Sequence, residues 1–124
     1  MKTSQYRKRL NQLIEEEMQQ MGVLMKQKKL VKGTVYLMRT KCGKRGCRCE
    51  REGKLHSAWC LSKSQDGKSR VRCLSKEKVV GYKKLTGSYR RFRQARAGIA
   101  NIHKAQIETI NLLEKALQQP GVVR

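Results

Sequence analysis

Ser57-Ala-Trp-Cys-Leu-Ser-Lys-Ser-Gln-Asp-Gly-Lys-Ser-Arg-Val-Arg-Cys-Leu74 is the stretch on which the fold turns. Two short strand-like runs flank Asp66-Gly67. That dipeptide is a strong signal for a two-residue hairpin turn, because both turn positions need positive φ. Counting outward from it sets a register: Gln65 faces Lys68, Lys63 faces Arg70, and Cys60 faces Cys73. Lys63, Arg70 and Arg72 then share one face of the hairpin, with Trp59 and Leu61 nearer its base. Upstream, Thr34-Val-Tyr-Leu-Met is rich in residues that suit a pleated surface and reads as a third strand. The expected centre of the molecule is a three-stranded antiparallel meander within 33–75.

Helical patterns lie on both sides. From about Thr3 to Leu30, Tyr6, Leu10, Leu13, Glu17, Met21 and Leu24 alternate at spacings of four and three, with Ile14, Met18 and Met25 beside them. Gly22 marks a bend or break, and Gly33 a stop. After Ser75, a candidate cap, Leu85, Tyr89, Phe92, Arg96, Ile99, His103, Gln106, Ile110, Leu113 and Leu117 repeat the same spacing. Ala95, Ile102 and Ile107 widen that stripe, and Pro120-Gly121 ends it. Gly81 and Thr86-Gly87 are places where this helix would split. The expected fold is α+β and a single domain over 1–124. A long helix over 3–32 pairs antiparallel with one over 76–119, and the meander forms a head.

The chain has 124 residues, with 30 Lys and Arg against 9 Asp and Glu, and a formal charge of +21. Of these, 23 Lys and Arg and 4 acids fall between Lys26 and Arg96, so +19 of the charge sits in the middle. Charge of one sign opposes compaction, and a polyanion relieves it. Nucleic acid supplies phosphates whose neutralisation releases counterions and gives salt-dependent affinity. A membrane partner is not expected, since no apolar run is long enough to span a bilayer. The N-terminus is basic but leads into a charged helix rather than an apolar signal region. The expected location is cytoplasmic, with the nucleoid or a ribonucleoprotein.

Cys42-Gly-Lys-Arg-Gly-Cys47-Arg-Cys49, followed by His56, is the sharpest local motif. Its spacing lets thiolates fold back around one ion, and a structural zinc site takes four Cys or His ligands. One Zn²⁺ on Cys42, Cys47, Cys49 and His56 is the favoured set, with Cys60 and Cys73 as alternates for the fourth position. Free thiols and an iron–sulfur cluster are the rival readings. Cys60 and Cys73 otherwise read as two small buried residues on the core face, with a cross-strand disulfide as a further alternative. A closed zinc site has no open position for water, so its role would be to rigidify the cations of the loop.

These motifs resemble a family of small bacterial proteins defined only as a domain of unknown function. Its pattern is matched by Cys42-Gly43-Lys44, Cys47 and Cys49, His56-Ser57-Ala58-Trp59, Asp66-Gly67-Lys68, Arg70-Val71-Arg72 and Ser88-Tyr89-Arg90-Arg91-Phe92. The resemblance spans roughly Gly33 to Phe92. It implies His56 as the fourth ligand and an association with mobile elements. Ser57-Ala58 stands where the family usually has Gly-Pro, and Cys60 and Cys73 are additional.

The expected function is non-enzymatic nucleic-acid binding, with structured RNA favoured over DNA. The candidate contacts are Lys28, Lys29, Lys32, Arg39, Lys41, Lys44, Arg45, Arg48, Arg51, Lys63, Lys68, Arg70, Arg72, Lys83, Lys84, Arg90, Arg91 and Arg93. Such a pattern spreads over helix, loop and strand and suits phosphate contacts more than base reading. Trp59 and Tyr36 read as core residues before stacking platforms. Consecutive Glu15, Glu16 and Glu17 cannot share one helix face, so no acidic cluster holds Mg²⁺ for phosphodiester chemistry. A Cys47 or Cys49 nucleophile with His56 is the only enzymatic rival. The partners expected are nucleic acid and a larger nuclease or transposase-type protein. The alternative function is a coiled-coil interaction protein, homodimeric through its helices, acting as a DNA-binding accessory or regulator of transposition.

Overall fold

Asp66 and Gly67 both adopt positive φ, 53° and 76°. This is the backbone that a two-residue hairpin turn demands. The structure, a computed structural model, describes residues 2–40 and 56–121. Its elements are α1 (Lys2–Lys26), β1 (Thr34–Thr40), β2 (His56–Gln65), β3 (Lys68–Leu74) and α2 (Lys76–Leu117). The three strands form one antiparallel sheet in the order β1-β2-β3. The chain is thus α+β, with two long helices flanking a three-stranded meander.

The register expected from the turn is the register observed: Gln65 pairs with Lys68, Lys63 with Arg70 and Cys60 with Cys73. On the other side of β2, Val35 pairs with Leu61, Leu37 with Trp59 and Thr40 with His56. Side chains alternate across a strand, so these pairs sort the sheet into two faces. One face carries Val35, Leu37, Trp59, Leu61, Lys63, Arg70 and Arg72. The other carries Tyr36, Met38, His56, Cys60 and Cys73. Cys60 and Leu61 are neighbours in sequence yet both buried, so the middle of β2 is covered on both faces.

Two compact units are present. The first comprises residues 29–90, that is, the sheet with the opening turns of α2. Lys78 N–H donates to the Ser75 carbonyl at 3.0 Å and closes the first turn of α2. Glu77 supplies an acid there, where the helix dipole favours one. Gly81 and Thr86-Gly87 leave the helix intact. Thr86 is almost wholly buried, and its hydroxyl donates back to the carbonyls of Tyr82 (2.9 Å) and Lys83 (3.2 Å). Its polar group is therefore satisfied without breaking the helix. The connection from α1 is fixed at two points. Val31 N–H donates to the Leu85 carbonyl of α2 at 3.2 Å. Gly33 lies so close to β2 that a Cβ there would sit 2.7 Å from the Ser62 carbonyl oxygen. Only glycine fits at that position.

The second unit comprises residues up to 28 and from 91 onward. There α1 packs against the later turns of α2. Glu17 of α1 bonds to His103 and Gln106, while Gln20 lies against Gly98, so the two segments run antiparallel. The helix α1 ends at Lys26, several residues earlier than the periodicity suggests, and runs unbroken through Gly22. Gln27 closes it: its amide N–H donates to the Leu24 carbonyl, and its side-chain Nε2 donates to the Val23 carbonyl at 3.1 Å. These bonds satisfy carbonyls left open at a helix end.

The buried seam of α2 runs through Ala95, Ile99, Ile102 and Thr109, with Gln106 half-buried. It is rotated one position from the stripe that includes Arg96, His103 and Ile110, all three of which are exposed. The rotation keeps the Arg96 charge in water. It also buries Thr109, whose hydroxyl is satisfied by the Ala105 carbonyl at 2.8 Å. On α1, Leu13 is buried, while Ile14, Met18 and Met25 remain exposed.

Glu17 is the polar break in the α1 stripe, and it is spent on α2. The His103 Nε2 lies 2.7 Å from one carboxylate oxygen, and the Gln106 amide donates to the other at 3.1 Å. The Gln106 bond, and after it the His103 bond, hold the Glu17 carboxyl below its ordinary value of 4.5. A carboxyl lowered in the folded state contributes stability that is fully present above its ordinary value. That contribution is lost as pH falls through the lowered folded value. We expect Glu17→Gln to flatten the acid limb of a urea-midpoint-against-pH curve. An acid limb identical to that of the unsubstituted chain would show that the contact contributes nothing.

Candidate nucleic-acid interface

No strand of the sheet contains an acidic residue. On the face that carries Leu61, the cations of β2 and β3 are gathered by register alone. Lys63 is directly opposite Arg70, Leu61 opposite Arg72, and Gln65 opposite Lys68. All four cations are exposed. Like charges placed directly opposite each other destabilise a sheet. The hairpin therefore bears a repulsion that nothing in its own strands offsets.

Three of these cations, Lys63, Arg70 and Arg72, open onto a cleft of about 460 Å³. Lys63, Gln65, Arg70, Arg72 and Tyr82 line it, with Val31, Leu61 and Val71 as apolar wall. Three cations, an amide and a phenol around one recess form a donor set suited to phosphate oxygens. Next to it, the Lys83 ammonium lies 4.1 Å from the centre of the Trp59 ring. Trp59 is half-buried under that cation, a packing role that occupies one face of the indole.

The remaining expected contacts distribute as follows. Lys28, Lys29 and Lys32 are exposed in the segment between α1 and β1, and Arg39 is exposed on β1. Lys84 and Arg90 are exposed on the opening turns of α2, and Arg91 and Arg93 on its later turns. Lys41, Lys44, Arg45, Arg48 and Arg51 lie outside the described residues, as do the expected zinc ligands Cys42, Cys47 and Cys49. The charge pattern of the sequence marks neither Gln65 nor Tyr82 nor Val31 as part of this cleft. Register parity alone puts Gln65 on the cationic face. Val31 and Tyr82 reach the cleft only through tertiary packing, which no local pattern encodes.

The candidates for a fourth metal ligand separate in space. Thr40 and His56 are paired, so His56 stands at the base of the 41–55 segment. Cys60 lies on the same strand and face, four residues further along, or about 13 Å at strand rise. His56 and Cys60 are thus separate candidates for the fourth position, one next to the 41–55 segment and one further along the strand. Among the described residues, no three His, Cys, Asp or Glu side chains gather as a metal site. Cys60 is fully buried as expected, but Cys73, on the edge strand β3, is exposed.

Replacing Lys63 with Glu tests whether the hairpin pays for its cations. We expect K63E to be more stable than the unsubstituted chain by roughly 0.5 kcal/mol at low salt, with the gain fading as salt rises. A urea midpoint unmoved at low salt would show that solvent already screens the Lys63–Arg70 pair.

No helix among the described residues is long and apolar enough to cross a membrane. No curated protein and no solved structure matches the chain. One family model does match, over residues 4–86, from α1 through the sheet and into α2. With two thirds of its length inside that match, the chain belongs to the family described as Domain of unknown function (DUF6788).

Proposed function

We propose that this chain is a non-enzymatic nucleic-acid-binding protein that contacts phosphates through the cationic face of its β2–β3 hairpin, with structured RNA preferred over DNA. The observation that carries this is the acid-free sheet with Lys63, Arg70 and Arg72 set around one cleft. Cations that repel one another at a cost to folding are explained by an anion that binds among them. Arg70 and Arg72 are two residues apart on one strand, about 7 Å at strand rise. That spacing suits successive phosphates along a backbone. A rigid pair of strands also holds these long side chains partly ordered, which lowers the entropic cost of binding. The exposed cations of β1 and of the opening turns of α2 would extend the footprint within the same unit.

Zinc enters this proposal as a structural ion on Cys42, Cys47, Cys49 and His56. Thiolates and imidazole are the donors zinc prefers, and the ion would supply crosslinking of the loop and no chemistry of its own. The position of His56 at the base of that loop supports it over Cys60 as the fourth ligand. The purified chain should carry one zinc per molecule, released by chelator together with new reactivity at Cys42, Cys47 and Cys49. A metal-free chain with those three thiols freely alkylated would remove the zinc.

The binding test uses a folded RNA hairpin and a DNA duplex of equal length, titrated at several salt concentrations. Affinity should fall linearly in log–log form with salt, more tightly for the RNA. Arg70→Ala should reduce the slope by about one, as expected for one lost phosphate contact. No binding at low salt would overturn the function, and an unchanged slope would move the site away from the hairpin.

A further inference from the structure

Cys60 and Cys73 face each other across β2 and β3 with their sulfurs 4.0 Å apart, and both are free thiols. They sit on the face of the sheet opposite the cationic cleft. Their position in the ladder matters. Gln65 and Lys68 flank the two-residue turn and form a hydrogen-bonded pair, after which bonded and non-bonded pairs alternate. Five steps on, Cys60 and Cys73 occupy a non-hydrogen-bonded pair, where opposed Cα atoms approach to about 4.5 Å. A disulfide spans Cα separations from about 4.4 Å upward, so the pair stands within bridging range.

The two thiols are unlike. Cys73 is exposed, while Cys60 is fully buried and donates to the Ala58 carbonyl at 3.8 Å. Burial, and after it the neighbouring Cys73, raise the Cys60 thiol above its ordinary value. An outside reagent therefore meets Cys73 first, and Cys60 can react only with what Cys73 has become.

We propose that Cys60 and Cys73 form an oxidisable dithiol, a modification site for small-molecule disulfides of the glutathione class, in which Cys73 is the attacking and Cys60 the resolving thiol. Cys73, as thiolate, attacks one sulfur of the small disulfide. The S–S bond breaks, one small thiol leaves, and a mixed disulfide forms on Cys73. Cys60 gives up its proton to solvent and attacks the Cys73 sulfur, releasing the second small thiol. The protein dithiol loses two electrons and two protons, and one small disulfide becomes two small thiols. The product ties β2 to β3 at the end of the hairpin away from Asp66-Gly67. Lys63, Arg70 and Arg72 then lie between a turn and a crosslink, held in one register. This assignment stands independently of nucleic-acid binding, since it rests on the geometry and burial of the two thiols.

The experiment equilibrates the full-length chain in buffers of graded reduced-to-oxidised glutathione ratio, quenches with alkylating agent, and maps peptides without reduction. We expect a Cys60–Cys73 linked peptide to dominate in the oxidised buffers and to vanish on return to the reduced ones. In C60S and C60A, Cys73 should instead accumulate as the glutathione adduct. In C73S, Cys60 should stay unmodified until the chain is denatured. The assignment is overturned by Cys73 adducts accumulating while Cys60 remains a free thiol. Pairing of Cys60 with a different cysteine overturns it too, as does protection of both thiols that a chelator reverses.

Discussion

The pairing of Gln65 with Lys68 across Asp66-Gly67 is the constraint on which the sheet depends. Both turn residues occupy positive φ, which Asp tolerates and Gly adopts freely. Once that pair is set, every residue of β2 and β3 has an assigned partner and face. A slip of β3 by one residue would send Arg70 and Arg72 to the face opposite Lys63 and bring Cys73 onto the cationic one. The charge that dominates the composition thus becomes a surface through the geometry of two residues.

Much of this was legible in the chain itself. The Asp-Gly dipeptide fixed the register, and parity then assigned the cations and Cys60 to opposite faces. The four-three spacing located both helices and their antiparallel pairing. What escaped was decided by long-range or satisfied polar contacts. The end of α1 depends on Gln27 folding back on its own helix, and on Val31 finding a carbonyl in α2. The seam of α2 is phased by Thr109, whose buried hydroxyl is satisfied in place, so Ile110 is left outside. Thr86-Gly87 resembled a break because composition does not reveal that Thr86 bonds to Tyr82 and Lys83. The cleft was legible in its cations and in Gln65. Tyr82 and Val31 belong to it through packing that only the folded chain specifies.

The two faces of the sheet carry different chemistry. One concentrates positive charge with no acid in any strand; the other presents a buried and an exposed sulfur in register. A crosslink at the sulfurs and an anion among the cations would both hold the same two strands together, from opposite sides. His56 and Cys60 stand four residues apart on β2, so the zinc site proposed with His56 and the thiol chemistry proposed at Cys60 and Cys73 would be separable. The second unit, with its Glu17–His103–Gln106 contact, supplies helix pairing and contributes none of the residues that line the cleft.

The central claim is that the cationic face of the hairpin is where nucleic acid binds. Ultraviolet crosslinking of the full chain to a bound, folded RNA, followed by mass mapping of the crosslinked peptides, tests it most directly. Crosslinks should concentrate in the peptides containing Lys63 to Arg72 and Tyr82, and should weaken when Arg70 and Arg72 are both replaced by Ala. Crosslinks confined to α1 and the later turns of α2, unaffected by those replacements, would contradict it.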